Sequence, residues 1–353
     1  MKKLLIANRG EIAVRIIRTA REMGIVTVAV VSEADTASLV ADLADEVVVI
    51  GPPPAGRSYL SYEAVLKATL DTGADALHPG YGFLSENAEF ARRVIAAGVI
   101  WVGPSPESIE LMGDKSRARR AAMDAGVPTL PGSDTALRKG DDITAIAASI
   151  GYPIVVKASA GGGGRGIRII VDPAELISSV EIAQAEALAA FDSSDVYFEK
   201  FVRKARHVEV QLLGDGESFV HLGDRDCSMQ RRQQKILEEA PAPDLPEGVR
   251  QRMRDSSLEL ARRVAYLGVG TVEFLYDPVT HEVAFIEMNT RIQVEHPITE
   301  AITGIDLVRE QLRIASGEKL GLTQDDITFS GTRWNSASTP RTPTATSCRA
   351  PVS

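Results

Sequence analysis

The sequence has 353 residues, 44% hydrophobic and 25% charged, with a formal net charge of −9; that length holds two or three domains, and the acidic balance argues against a general nucleic-acid binder. Two cysteines, Cys227 and Cys348, make neither a disulfide framework nor a zinc-ligand cluster and fit a reducing compartment. No signal peptide precedes the first strand and no apolar run reaches membrane-spanning length, so a cytoplasmic protein with no membrane partner is expected.

Lys2 to Ala7 predicts a buried strand, Glu11 to Met23 a helix stopped by Gly24, and Thr27 to Val31 and Glu46 to Ile50 two further strands. Strand, helix and strand in this order predict an α/β, doubly wound parallel sheet. The first strand–helix turn, Asn8-Arg9-Gly10, holds a single glycine, which disfavours a dinucleotide site. His78 to Asn87 reads as a tightly turned, packed loop entering a helix, with Ser85 as its N-cap. A helix from about Asp114, carrying Lys115, to Ala125 is followed by the turn-rich Gly126 to Gly132, a candidate domain boundary.

Pro153 to Ser159 and Ile167 to Val171 predict strands around the glycine-rich run Ala160 to Gly166. Both a Rossmann turn and a P-loop open a helix, so this strand–loop–strand context is neither. A glycine-rich hairpin tip can fold over phosphates and offer unobstructed backbone N–H groups, with Lys157 as the matching cation; a plain exposed hairpin is the alternative. Asp172 to Ala190 reads as helical, and Val196 to Val202 and Arg206 to Leu213 as strands, the latter with His207, Glu209 and Gln211 on one face. A lone histidine there is more often structural than a ligand. Asp224 to Lys235 reads as a charged, solvated loop, and Pro246 to Gly268 as a long amphipathic helix.

Thr271 to Tyr276 and Glu282 to Met288 form a hairpin that, centred near Thr280, sets Glu273 opposite Glu287. Opposed like charges destabilise a sheet unless neutralised, and a magnesium ion between the carboxylates is the economical explanation. Phe285 to Pro297 reads as one extended segment. Glu287, Asn289, Arg291, Gln293 and Glu295 would then lie in one file, spaced ~6.6 Å. The file offers oxygens for a hard cation, donors for a small anion and a carboxylate at its end; a solvated edge strand is the alternative. Pro297 to Ser316 predicts a helix ended by Gly317.

His78-Pro-Gly-Tyr-Gly-Phe-Leu-Ser-Glu-Asn87, Lys157-Ala-Ser with its glycine hairpin, Arg225-Asp-Cys-Ser-Met-Gln-Arg-Arg and Glu287-Met-Asn-Thr-Arg-Ile-Gln-Val-Glu-His together resemble biotin carboxylase, as far as about Gly331. The resemblance implies a Rossmann-like N-terminal domain (1–113) and an ATP-grasp domain (114–331) with a glycine-rich lid (about 131–203). It implies ATP- and bicarbonate-dependent carboxylation of biotin on a carrier protein by way of carboxyphosphate, with a carboxyltransferase downstream and a homodimeric assembly. Lys115, Lys157, Gly163 and Gly164 would hold the ATP phosphates. Glu199, Lys200, Phe201 and Val202 would flank adenine, with His207 and Gln233 near the nucleotide; the family often has histidine where Gln233 stands. Glu273, Glu287 and Asn289 would bind Mg2+ or Mn2+, the two glutamates beside ATP. Lys235, Arg291, Gln293 and Val294 would bind bicarbonate, and Glu295 would act as base. A carbamoyl-phosphate-synthetase-like ligase and an inactive nucleotide-binding fragment are the alternatives.

Beyond Gly331 the resemblance stops, and 332–353 reads as a disordered tail rich in Ser, Thr, Pro and Arg. With suitable synonymous codons, one base inserted after the Gly331 codon turns this tail into His-Ala-Met-Glu-Phe-Arg-Ile-Asn-Ala-Glu-Asp and onward, which is how the family continues. A single-base deletion, in the gene or in its sequencing, is therefore expected. The arginine that the family uses toward the biotin enolate would fall on Ala337, and the family's C-terminal domain and a Met-Lys-Met biotin site are missing from this reading. Biotin carboxylation is expected to be impaired.

Overall fold

The computed structural model describes residues 1–133, 135–138, 140–159, 167–231 and 234–336. Strands β1 (Lys3–Ile6), β2 (Val26–Val31), β3 (Glu46–Val49), β4 (Ala76–His78) and β5 (Ile100–Trp101) make a parallel sheet in the order β3-β2-β1-β4-β5. Leu4, Leu5 and Ile6 are all fully buried, because α1 (Gly10–Glu22), α2 (Leu39–Leu43), α3 (Tyr62–Asp71), α4 (Ala88–Ala96) and α5 (Pro106–Gly113) leave neither face of β1 open. Asp114 then caps α6 (Lys115–Asp124), accepting from the Ser116 and Arg117 N–H groups at 2.9 and 3.0 Å.

A small antiparallel sheet, β7-β6-β8, comprises β6 (Ile154–Ala158), β7 (Arg168–Ile170) and β8 (Val196–Lys200), backed by α7 (Ile143–Ile150) and α8 (Leu176–Phe191). The large antiparallel sheet has the order β13-β12-β9-β10-β11-β14. Its strands are β9 (Arg206–Asp215), β10 (Phe219–Arg231), β11 (Gln234–Ala240), β12 (Leu267–Tyr276), β13 (Val283–Asn289) and β14 (Arg333–Ser336). Helices α6 and α9 (Glu247–Arg263) share a core with Val272, Phe274 and Phe285 of this sheet. Helices α1 and α11 (Leu307–Ala315) share another with Leu213, Val220 and Val269, so the parallel and large sheets are joined by apolar packing. Arg15 reinforces that seam, donating from Nη2 to Glu300 Oε1 of α10 (His296–Thr303) and to Asp306 Oδ1, both at 2.8 Å.

Several expectations need correction. Asp224–Arg231 is not a loop but the end of β10, and Gln234 and Lys235 open β11: the buried charges sit in a sheet because they have partners, Asp224 with Arg250 and Arg254, and Arg225 with Glu209. The helix expected over 297–316 is two helices, broken where Gly304 takes φ +73° and Asp306 caps the next. The long helix ends at Arg263, and Gly268 belongs to β12. Asn87, not Ser85, caps α4, its Oδ1 accepting from the Phe90 N–H at 2.8 Å. The single file from Phe285 to Pro297 is also wrong: β13 ends at Asn289, and 290–295 turns into α10. The tail is not irregular from its start, because Arg333–Ser336 pairs antiparallel with Leu237–Ala240 of β11. Ala337, where the family arginine would fall, and the rest of the tail lie outside the described residues.

The loop after β4 is built rigidly. Asn8 Nδ2 donates to the carbonyls of Pro79 and Tyr81, both at 2.7 Å, and His78 Nδ1 accepts from the Gly80 N–H at 3.0 Å. Gly80 has φ +64°, and a Cβ there would sit 2.8 Å from Asn8 Nδ2. Gly80→Ala is expected to cost about 1–3 kcal/mol, read as a lowered urea midpoint.

Candidate active site

One rung of the large sheet concentrates the ionisable side chains. Across β10, β9, β12 and β13, Arg225 lies opposite Glu209, Glu209 opposite Glu273, and Glu273 opposite Glu287. Glu273 and Glu287 are opposed as expected, but through a β-bulge: the turn pairs Phe274 with Phe285, and a register shift next to Glu273 brings Glu287 rather than Ile286 opposite it. Glu209, which shares the His207 face of β9, adds a third carboxylate. Neighbouring strands lie only ~4.8 Å apart, so three ionised glutamates in a row require cations.

Four side chains supply them. Lys235 Nζ donates to Glu209 Oε2 and Glu295 Oε1, each at 2.6 Å, and to Glu273 Oε1 at 3.1 Å. His207 Nε2 lies 2.7 Å from Glu273 Oε2, whose charge favours the protonated ring over the cost of burial, and its Nδ1 lies 3.0 Å from the Gln230 side-chain amide. Lys115, at the start of α6, pairs with Glu287 Oε2. Arg225, fully buried, donates to Glu209 Oε1, Gln211 Oε1 and Gln293 Oε1 at 2.6 Å each, to Thr299 Oγ1 at 2.8 Å and to Thr271 Oγ1 at 3.3 Å. Burial opposes ionisation of Glu209 and Glu273, yet Lys235 foremost, with Arg225 beside the first and His207 beside the second, holds both below the ordinary carboxylate range. Burial likewise works against the Lys235 charge, and the surrounding carboxylates more than offset it.

The remaining expected residues divide. Asn289 and Gln293 join the cluster, donating to Glu273 Oε1 at 2.9 and 3.1 Å. Arg291 donates from Nη2 to Asn289 Oδ1 at 2.9 Å, while Val294, on the same turn, is half exposed. Lys157 stands apart on the small sheet, paired with the buried Glu199. Lys200 points elsewhere, donating from Nζ to the Gly151 and Tyr152 carbonyls at 2.7 and 3.1 Å. Phe201 follows β8 directly, its N–H donating to the Pro153 carbonyl at 3.1 Å. A cavity of about 690 Å³ opens between Val202 and Leu275, beside Pro128 to Pro131. Gly163, Gly164 and Gln233 lie outside the described residues.

The donor chemistry fits a divalent cation. Glu273 and Glu287 oppose each other with Asn289 adjacent, an all-oxygen set of the kind magnesium takes. Sequence reasoning missed Glu209 and Arg225 as members of the site. Their signal was the shared face of 207, 209 and 211, whose polar run only makes sense if it looks into a pocket.

The family description "Biotin carboxylase, N-terminal domain" matches residues 1–109, and "Carbamoyl-phosphate synthase L chain, ATP binding domain" matches residues 114–323. Biotin carboxylase of Pseudomonas aeruginosa is 53% identical over 333 residues, covering 94% of this chain and 74% of that protein. Biotin carboxylase 1 of Bacillus subtilis is 51% identical over 332 residues, again 94% and 74% of the two chains. The Campylobacter jejuni biotin carboxylase–βγ-ATP complex superposes with a TM-score of 0.91 at 44% identity, over 94% of this chain and 74% of that one. The biotin carboxylase domain dimer of Hydrogenobacter thermophilus 2-oxoglutarate carboxylase, solved with MgADP, ADP and bicarbonate, superposes with a TM-score of 0.90 at 47% identity, over 94% and 73% of the chains. Matched through its parallel sheet and its ATP-binding sheets alike, in sequence and in fold, the chain belongs to the biotin carboxylase family of ATP-grasp ligases.

Proposed function

We propose that this chain activates bicarbonate with ATP for the carboxylation of biotin, through the residues gathered around the glutamate rung. The observation that carries this is Lys235 within 2.6 Å of Glu295: a cation that attracts an anion is held beside a carboxylate able to take its proton. Arg291 and Lys235 orient bicarbonate, with Gln293 and the Val294 backbone beside them, and Glu295 accepts its proton. The freed oxygen attacks the γ-phosphorus, the bond to the ADP oxygen breaks, and carboxyphosphate forms. Its breakdown gives CO₂ and phosphate; phosphate takes the N1 proton of biotin as N1 bonds to CO₂. Lys115 and Lys157 face the ATP phosphates, and His207 lies near the nucleotide. The cavity beside Val202 and Leu275 extends the adenine pocket. Mg2+ or Mn2+ held by Glu273, Glu287 and Asn289 would neutralise phosphate charge.

In this reading 1–113 is the Rossmann-like domain, 114–331 the ATP-grasp domain, and about 131–203 the lid that excludes water from the intermediate. Biotin arrives on a carrier protein or domain, and a carboxyltransferase takes the carboxyl group onward. Among the described residues no helix is long and apolar enough to cross a membrane, and the buried free thiol of Cys227 suits the reducing cytoplasm.

The test is ATP cleavage by the purified chain, with and without bicarbonate and free biotin, beside a version with one base restored after the Gly331 codon. Both versions should cleave ATP in a bicarbonate-dependent way, and Arg291→Ala should lower the rate by about 100-fold or more. Stimulation by biotin is expected only from the restored version. Bicarbonate-independent cleavage in both would overturn the assignment.

A further inference from the structure

We infer that Glu86, carried on the loop after β4, positions Arg291 for bicarbonate, so that the anion pocket of the large sheet is completed from the parallel sheet. This rests on the bicarbonate role of Arg291 proposed above.

Arg291 lies beyond the end of β13, where no strand ladder fixes the backbone. Its guanidinium is nonetheless held at three points: Nε donates to Glu86 Oε2 at 2.9 Å, Nη2 to Asn289 Oδ1 at 2.9 Å and Nη1 to the Ile292 carbonyl at 3.3 Å. A guanidinium has five N–H donors, so two remain, both on the terminal nitrogens that can grip a planar oxyanion. Asn289 and Ile292 are near neighbours in the chain and move with Arg291; among the described residues Glu86 alone ties it to another part of the fold.

The loop carrying Glu86 is suited to that task. Besides the Asn8 hydrogen bonds, the Ser85 N–H donates to the Gly82 carbonyl at 2.9 Å, Phe83 stacks on Tyr59 with ring centroids 5.0 Å apart, and Asn87 begins α4. The Glu86 side chain is 41% exposed. An ion pair so wetted adds little to stability. What the contact supplies is orientation: an arginine already held in one rotamer loses less entropy when the anion arrives.

The test is bicarbonate affinity by calorimetry in saturating MgADP, with MgADP affinity measured separately, for the unmodified chain, Glu86→Ala, Glu86→Gln and Arg291→Ala. Glu86→Ala should weaken bicarbonate about 10-fold and leave MgADP unchanged, while Glu86→Gln, which keeps an acceptor for Nε, should stay within about 3-fold. Bicarbonate binding by Glu86→Ala equal to the unmodified chain, with Arg291→Ala impaired, would overturn the inference alone. Equal weakening of bicarbonate and MgADP by Glu86→Ala would mark a merely structural residue and also overturn it. Undiminished binding by Arg291→Ala would instead remove the reading underneath.

Discussion

Lys235→Ala is expected to reduce bicarbonate-dependent ATP cleavage by about 1000-fold and to lower unfolding stability by about 3–5 kcal/mol. The two losses share one cause. Lys235 is the cation that Glu209, Glu273 and Glu295 have in common, and each of those carboxylates is at least nine-tenths buried. Without it three acids face one another with only His207 and Arg225 to compensate, and the anion loses its attraction to the base. Urea unfolding and steady-state ATP cleavage separate the effects. Adding Glu209→Gln to Lys235→Ala should return part of the stability and none of the activity. A Lys235→Ala protein as stable as its parent would contradict the charge accounting given for the rung.

Acid should loosen the seam between the parallel and large sheets. His78, at the end of β4, and His296, at the start of α10, are buried; burial above all lowers their pKa values from 6.5 to about 3 and about 4. A histidine whose folded pKa is depressed contributes stability that is complete above its unfolded pKa and is lost as pH falls toward the folded value. Each adds a slope that rises toward about 1.4 kcal/mol per pH unit below pH 6.5, so the pair removes roughly 3 kcal/mol between pH 6.5 and 5. His207 has the opposite sign. Burial lowers its pKa and Glu273 raises it further, so its contribution is complete below pH 6.5 and fades only above. Urea midpoints from pH 7 to 5 check this, and His296→Asn should remove about half of the slope. A flat profile in the parent would show that neither histidine stays neutral in the fold.

What was legible in the sequence were features whose geometry is local. Counting from Thr280 set Glu273 opposite Glu287, and the strands pair so, although a β-bulge next to Glu273, which counting does not show, is what completes the register. Illegible were features decided by distant partners. The charges of Asp224 and Arg225 look solvated until Arg250, Arg254 and Glu209 are known to close around them. The turn after Asn289 replaces an extended file because Ile292 and Gln293 are both drawn into the interior, which strict alternation forbids. Asn87 displaces Ser85 as cap because the helix begins two residues later than its polar signal suggests. Motif resemblance supplied the roles; it could not supply Glu86, whose meaning depends on a contact 205 positions away.

Arg225 gives the site one more property. All its donors are spent on Glu209, Gln211, Gln293, Thr271 and Thr299, which belong to three different strands or stretches of the large sheet and to α10. Gln293 and Glu209 pass the connection on to Glu273 and Lys235. In such a closed circuit a single member has no separable worth. The first substitution pays nearly the whole penalty, and the second finds little left to break. Substitutions at these positions are therefore expected to be tolerated only as joint changes, and the circuit to drift as a unit or stay as it is.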